Sequence, residues 1–237
     1  MSSPLLSLDD VHASYGDYRV LNDITFDVGT DDVVTYLGRN GTGKTTTFKV
    51  ITGLHEPDSG TVTFESQDVT GMPPHWVVKQ GISFVTADNK VFPHLTVEEN
   101  IRLPTLERDA TVDFGGLYNL FPDLKDHSDE KAGHLSGGQQ QMVALAQGLA
   151  PDPDILLLDE PVQGLAVEFV DKVASLIERL RGDVAIIMIE HDIDLALDVG
   201  DRALVLDEGT IAWQGTTDEL ADNEEIIDRY IGVKGYT

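Results

Sequence analysis

The chain has 237 residues, 41% of them hydrophobic, and carries 42 acidic residues against 16 basic ones for a net charge of −26. A surface this acidic repels DNA, RNA and anionic lipid, so nucleic acid is not an expected partner. With no cysteine, disulfides, iron–sulfur clusters and thiol catalysis are excluded.

The length suits one domain, or one domain carrying a subdomain. Acidic residues are spread over the sequence rather than gathered in a tail, which points to a carboxylate-coated globule. Adaptation to molar salt, where self-repulsion is screened over a few ångströms, is the hypothesis this suggests. Unfolding as salt is removed would support it, and full stability in dilute buffer would sink it. The start, MSSPLLSLDD, lacks the basic and long apolar stretches of a signal peptide. The longest apolar runs, 155–158 and 184–189, are too short to span a bilayer. A cytoplasmic chain, tied to a membrane only through a partner, is expected.

In chain order, strands are expected over 5–15, 19–28, 33–37 and 61–65, between Gly, Asp and Asn turn signals. Another short strand follows at 82–85. Thr96 and Glu99 fit a capping box, opening a helical, loop-rich stretch to about residue 150. Beyond it a strand (155–158), a helix (167–180) and a strand (184–189) alternate. Phe169, Val170, Val173, Leu176, Ile177 and Leu180 give that helix one apolar stripe. Such alternation implies a parallel sheet flanked by helices, with ligands at the carboxyl ends of its strands. Strands near 203–206 and 211–213 and short acidic helices complete the chain. The organisation expected is one α/β core, 1–87 and 151–237, interrupted by a helical subdomain at about 88–150.

Within this frame GRNGTGKTT, residues 38–46, follows an apolar strand and opens into Phe48, Val50 and Ile51 at helical spacing. That is the context a phosphate-binding P-loop requires. Gly38, Gly41 and Gly43 let the backbone turn tightly, so that N–H groups along Arg39, Asn40, Thr42 and Thr46 can point at phosphate oxygens. The helix dipole adds to this. Lys44 would reach the β- and γ-phosphates, and the Thr45 hydroxyl would sit on Mg²⁺. A nucleoside triphosphate is the expected ligand.

Residues 155–158 end abruptly in Asp159 and Glu160. A buried strand ending in paired carboxylates is costly without a cation or a protonatable partner. Asp159 would hold Mg²⁺ through water, and Glu160 would polarise the water attacking the γ-phosphate. In Leu135-Ser-Gly-Gly-Gln-Gln-Gln141, Ser136 and Gln139 form a second capping box. Gly137 and Gly138 are poor helix formers but suit close approach of an anion to a helix start.

LSGGQ lying between the P-loop and the Asp-Glu strand resembles the signature of ATP-binding cassette (ABC) ATPases. The three motifs, in that family's order, cover most of the chain. The resemblance implies a P-loop NTPase (RecA-like) core with an N-terminal antiparallel β subdomain and an inserted α-helical subdomain. It implies a head-to-tail dimer, each ATP lying between one subunit's P-loop and the other's signature helix. Ser136 and Gly138 would then contact the γ-phosphate held by the partner, with Gly137 between them. Tyr15 resembles the aromatic residue that stacks on adenine. Gly164-Leu165-Ala166 resembles the loop crossing the dimer interface, and His191 the switch histidine that senses the γ-phosphate. Catalysis would fall to Glu160, His191 and Lys44.

Two positions depart from the family's pattern. Where it usually carries Gln after the strand 82–85, this chain has Ala87, with Asp88 beyond it. Val162 stands where Ser is common. Hydrolysis is still expected, with its rate and coupling to transport open. Gly71-Met-Pro-Pro-His75, the segment VFPHLTVEEN at 91–100 and Glu160-Pro-Val-Gln-Gly-Leu-Ala166 are similar to branched-chain amino acid importer ATPases. That implies transmembrane permease subunits, a second ATPase subunit, identical or not, and indirectly a solute-binding protein. The permease would dock near 87–97, on the cytoplasmic face of the membrane. Urea and amide importers share these features. A soluble cassette ATPase, a slow regulatory nucleotide switch and an exporter subunit are the competing readings.

Overall fold

The computed structural model describes residues 3–88, 91–107 and 111–232. Two sheets form the framework. The first contains β1 (Leu6–Tyr15), β2 (Tyr18–Val28), β4 (Ser59–Phe64) and the two-residue β5 (Gln67–Asp68), antiparallel in the order β2-β1-β4-β5. The second contains β3 (Val33–Leu37), β6 (Ile82–Val85), β7 (Ile155–Asp159), β8 (Ala185–Ile189), β9 (Arg202–Asp207) and β10 (Thr210–Thr216). Its order is β10-β9-β3-β8-β7-β6, parallel except for the antiparallel β10.

Every residue of β3, β7 and β8 is buried, as expected of strands covered on both faces. Alternation then divides the side chains. Ile155, Leu157, Ile187 and Ile189 face the antiparallel sheet and join Leu6, Phe26, Tyr36 and Phe48. Leu156, Leu158, Ile186 and Met188 face the other way and meet the helices.

Between β3 and β4 lies α1 (Lys44–Ile51), and α2 (Pro74–Gln80) precedes β6. From β6 to β7 the described elements are helical, joined by turns: α3 (Val97–Arg102), a 3₁₀ turn (Leu103–Glu107), α4 (Phe114–Leu120), α5 (Pro122–Asp126), a second 3₁₀ turn (Ala132–His134) and α6 (Gly137–Leu149). Both expected capping boxes form. Thr96 accepts from the Glu99 N–H at 3.1 Å while Glu99 accepts from the Thr96 N–H at 2.8 Å. Ser136 and Gln139 reciprocate in the same way at 3.3 and 3.0 Å.

Helix α7 (Val167–Leu180) buries Val173, Leu176, Ile177 and Leu180, the inner part of the expected stripe. Helix α8 (Ile193–Val199) connects β8 to β9, and α9 (Thr217–Ala221), α10 (Glu224–Ile226) and a π-helical turn (Ile227–Ile231) follow β10. Strands β1, β2, β4, β7, β8, β9 and β10 differ from the expected limits by one to three residues at their ends. Helices α2 and α8 and strand β5 had no counterpart in the expectations.

Candidate nucleotide and catalytic site

Strand register places the chemistry. Across the parallel sheet Tyr36 pairs with Ile189, and Ile189 pairs with Asp159. The residues that follow, Gly38 after β3, Glu160 after β7 and Glu190-His191 after β8, therefore emerge side by side at one edge. Leu158 pairs with Val85, so Thr86 and Ala87 leave β6 at the same edge.

The loop 38–43 is built on glycine. Gly38 has φ 141°, and a Cβ there would lie 2.3 Å from the Leu206 carbonyl oxygen. Gly43 has φ 110°, and a Cβ there would lie 2.6 Å from Leu21 Cδ2. Any other residue would be strained and would clash. Lys44 begins α1 and is 5% exposed. Its Nζ donates to the Gly38 and Arg39 carbonyls at 2.7 and 3.0 Å, curling back over the loop. Burial lowers its pKa, and the nearby Glu160 and Asp159 carboxylates oppose that shift.

Asp159 is 4% exposed, and its Oδ1 accepts from the Thr45 hydroxyl at 3.4 Å. Burial raises its pKa, partly offset by that hydroxyl. A buried carboxylate beside an exposed hydroxyl is an oxygen donor pair suited to Mg²⁺, which fills its remaining positions with water and phosphate oxygens. Among the described residues no three His, Cys, Asp or Glu side chains converge to hold a metal by themselves. A cation here would take the rest of its shell from water and phosphate oxygens.

Glu160 adopts φ 51°, a left-handed conformation uncommon for any residue but glycine and costly to hold. Two backbone bonds hold it: its N–H donates to the Ile189 carbonyl at 3.0 Å, and its carbonyl accepts from Gln163 N–H at 3.2 Å. The side chain is engaged at both oxygens. His191 Nε2 lies 2.7 Å from Oε1, and the Gln163 amide donates to Oε2. An ionised carboxylate only accepts, so the proton of this pair belongs on His191 Nε2.

A cleft of about 380 Å³ opens over the loop, lined by Tyr15, Tyr18, Asn40, Lys44, Thr45 and Glu160 among others. Gly41, Gly43 and Thr46 also line it, whereas Arg39 and Thr42 line a neighbouring cleft with Asp207 and Glu208. The Tyr15 ring rests against His55, centroids 4.4 Å apart, and is 46% exposed.

The signature residues 136–139 do not line this cleft. At their helix start, a Cβ on Gly137 would meet nothing within 4 Å, so that position is open. A Cβ on Gly138 would lie 2.4 Å from the Phe169 ring of α7. Glycine at 138 is thus dictated by packing, while Gly137 alone leaves the helix start uncovered. Ala87 is half-buried in the turn after β6, Asp88 is exposed, and neither lines the cleft. Of the expected docking segment 87–97, Asn89 and Lys90 lie outside the described residues.

Sequence reasoning missed four side chains at this edge: Gln163, Glu190, Tyr18 and His55. Only Tyr18 had a local signal, as a second tyrosine three residues from Tyr15.

The comparisons agree with this geometry. The sequence profile of the family described as ABC transporter matches residues 21–163. The high-affinity branched-chain amino acid transport ATP-binding protein BraG of Pseudomonas aeruginosa is 35% identical over 232 residues, covering 96% of this chain and all of that protein. The probable branched-chain amino acid transport ATP-binding protein LivF of Archaeoglobus fulgidus is 33% identical, covering 94% and 97%. Among solved structures, the dimeric ATP-binding cassette MJ0796 in a post-hydrolysis state with ADP and Pi superposes with a TM-score of 0.80 at 25% identity, covering 90% of this chain and 98% of that one.

Proposed function

Since the chain belongs to the ABC transporter family, we propose that it is the ATP-hydrolysing subunit of an importer for branched-chain amino acids. The observation that carries the chemistry is the Glu160–His191 pair at 2.7 Å beside the P-loop cleft. The relatives named for branched-chain amino acid transport support the solute class.

In this reading ATP lies over the loop 38–46, its base against Tyr15. The Lys44 ammonium leaves the Gly38 and Arg39 carbonyls for the β- and γ-phosphate oxygens. That exchange suits a lysine kept dry, because two neutral carbonyls satisfy its donors without opposing its charge as phosphate oxygens would. Thr45 and Asp159 would hold Mg²⁺, which when bound neutralises phosphate charge. Glu160 takes a proton from the attacking water as its oxygen bonds to the γ-phosphorus and the bridge to ADP breaks. His191 keeps the Glu160 carboxylate aimed and lies where the γ-phosphate would be felt.

The signature helix lies outside the P-loop cleft, which supports a site completed by a second cassette. Ser136, Gly137 and Gly138 would face the nucleotide of that partner. The helical segment of about 88–150 would be a subdomain able to shift against the core 1–87 and 151–237. Among the described residues no helix is long and apolar enough to cross a membrane. The chain would sit on the cytoplasmic face, held by permease subunits and served by a solute-binding protein. The net charge of −26 also favours life in concentrated salt.

Purification of the tagged chain from its own membranes in detergent and high salt tests this. Recovery of multi-spanning permeases with a solute-binding protein is expected. Recovery from the soluble fraction alone would refute the transport reading.

A further inference from the structure

We propose that Glu190 is a positioning residue for His191: its buried carboxylate fixes the turn after β8, so that the imidazole reaches Glu160. This rests on the reading above, in which Glu160 and His191 act in hydrolysis.

Glu190 follows β8 directly and is 3% exposed. One oxygen, Oε2, accepts from the His191 N–H at 3.1 Å and the Asp192 N–H at 3.4 Å. Asp192 in turn caps α8, its Oδ1 accepting from the Asp194 and Leu195 N–H groups at 3.1 and 3.2 Å. His191 is therefore held between two anchored points, the end of β8 and the start of α8. The Val162 N–H, on the loop that follows Glu160, also faces the Glu190 carboxylate and favours its charged form. Oε1 nonetheless has no hydrogen bond of full geometry. The firm link is thus to the His191 turn, and the one to the neighbouring loop is weaker.

A turn of this kind needs only a short polar side chain in contact with water. A buried carboxylate is an expensive way to make it, since the charged form loses its hydration and one oxygen stays unpaired. Burial pushes the Glu190 pKa up to about 7. The long side chain provides reach: it folds back beneath the turn from inside the protein. Nothing on the solvent side is then needed, and the His191 ring is left free to face Glu160.

The test uses the full-length chain and three variants: Glu190→Met, which fills the volume without an acceptor, Glu190→Gln, which keeps one, and His191→Ala. ATP turnover, ATP affinity, unfolding temperature and the His191 side-chain ¹⁵N resonance are measured. Glu190→Met should lower turnover about ten- to hundredfold, the scale of a misplaced catalytic group. ATP affinity should be unchanged and the His191 resonance displaced. Glu190→Gln should retain both turnover and resonance. In the His191→Ala background Glu190→Met should cost nothing further. Losses that multiply, or an unmoved His191 resonance in Glu190→Met, would overturn the proposal. So would a displaced resonance in Glu190→Gln, which also decides the matter should Glu190→Met not fold. A wild-type chain without ATP turnover defeats the functional reading alone, and the resonance then still decides the role of Glu190.

Discussion

His191 Nε2 lies 2.7 Å from Glu160 Oε1, a contact between two turns that leave neighbouring strands at the same level of the sheet. The other oxygen of Glu160 is held by the Gln163 amide. Each oxygen of the carboxylate therefore has one partner, and an attacking water must share an oxygen with that partner or displace it.

Gln163 is the partner that can leave. It is exposed on the loop between β7 and α7, while His191 is held at both ends of its turn. Replacing Gln163 with alanine should raise basal ATP turnover. One net hydrogen bond of about 0.5–1.5 kcal/mol converts to about two- to tenfold. Steady-state turnover of the purified chain reads this, and a fall instead would mean that the amide aims Glu160.

Lys44 is buried and satisfied by two loop carbonyls. Lys44→Ala should weaken ATP binding about ten- to hundredfold, the value of one or two charge-assisted hydrogen bonds. Calorimetric titration measures it. An unchanged affinity would mean that the ammonium never leaves the loop.

Glu190 gives stability a pH dependence of unusual sign. Its ordinary pKa is 4.5, and in the fold it is pushed up to about 7. Between those values the folded protein holds more protons at this group than the unfolded chain does. Stability from this group is therefore greatest at low pH and falls as pH rises through that window, by on the order of 3 kcal/mol in all. A proton on the unpaired Oε1 leaves Oε2 free to accept from His191 and Asp192. Glutamine copies that protonated form. Wild type should lose unfolding temperature relative to Glu190→Gln from pH 5 to pH 8. Parallel curves would refute the shift.

Gly138 is closed in by Phe169. Gly138→Ala should destabilise the chain by about 1–3 kcal/mol, the cost of overpacking. Phe169→Leu in the same chain should recover part of it. Denaturant titration of the three variants checks both, and a neutral Gly138→Ala would show that the helix start yields.

The sequence makes legible those parts of the fold that repeat a local rule. β3, β6 and α7 begin and end at the expected residues because apolar runs, turns and a helical stripe mark them. Ser136-Gln139 and Thr96-Glu99 are visible as caps since both partners lie three residues apart. Helix α2 escaped notice because only Val77 is buried along it. Helix α8 is seven residues long and depends on the burial of Ile193, Leu195, Ala196 and Val199 against the sheet. Neither has enough periodicity to show in a sequence. The Gly-rich loop, Asp159 and Glu160 could be read because each sits at the end of an apolar strand. The roles of Gln163 and Glu190 could not, since they depend on which strand lies beside β7 and at what register.

Phosphate release from ATP by the wild-type chain and by Glu160→Gln, with ATP binding measured on both, tests the central claim most directly. The account predicts that the variant binds ATP as well as the wild type and releases phosphate about 10²- to 10⁴-fold more slowly, the range for loss of a general base. Equal rates in the two proteins, or a wild-type chain that does not bind ATP, would contradict it.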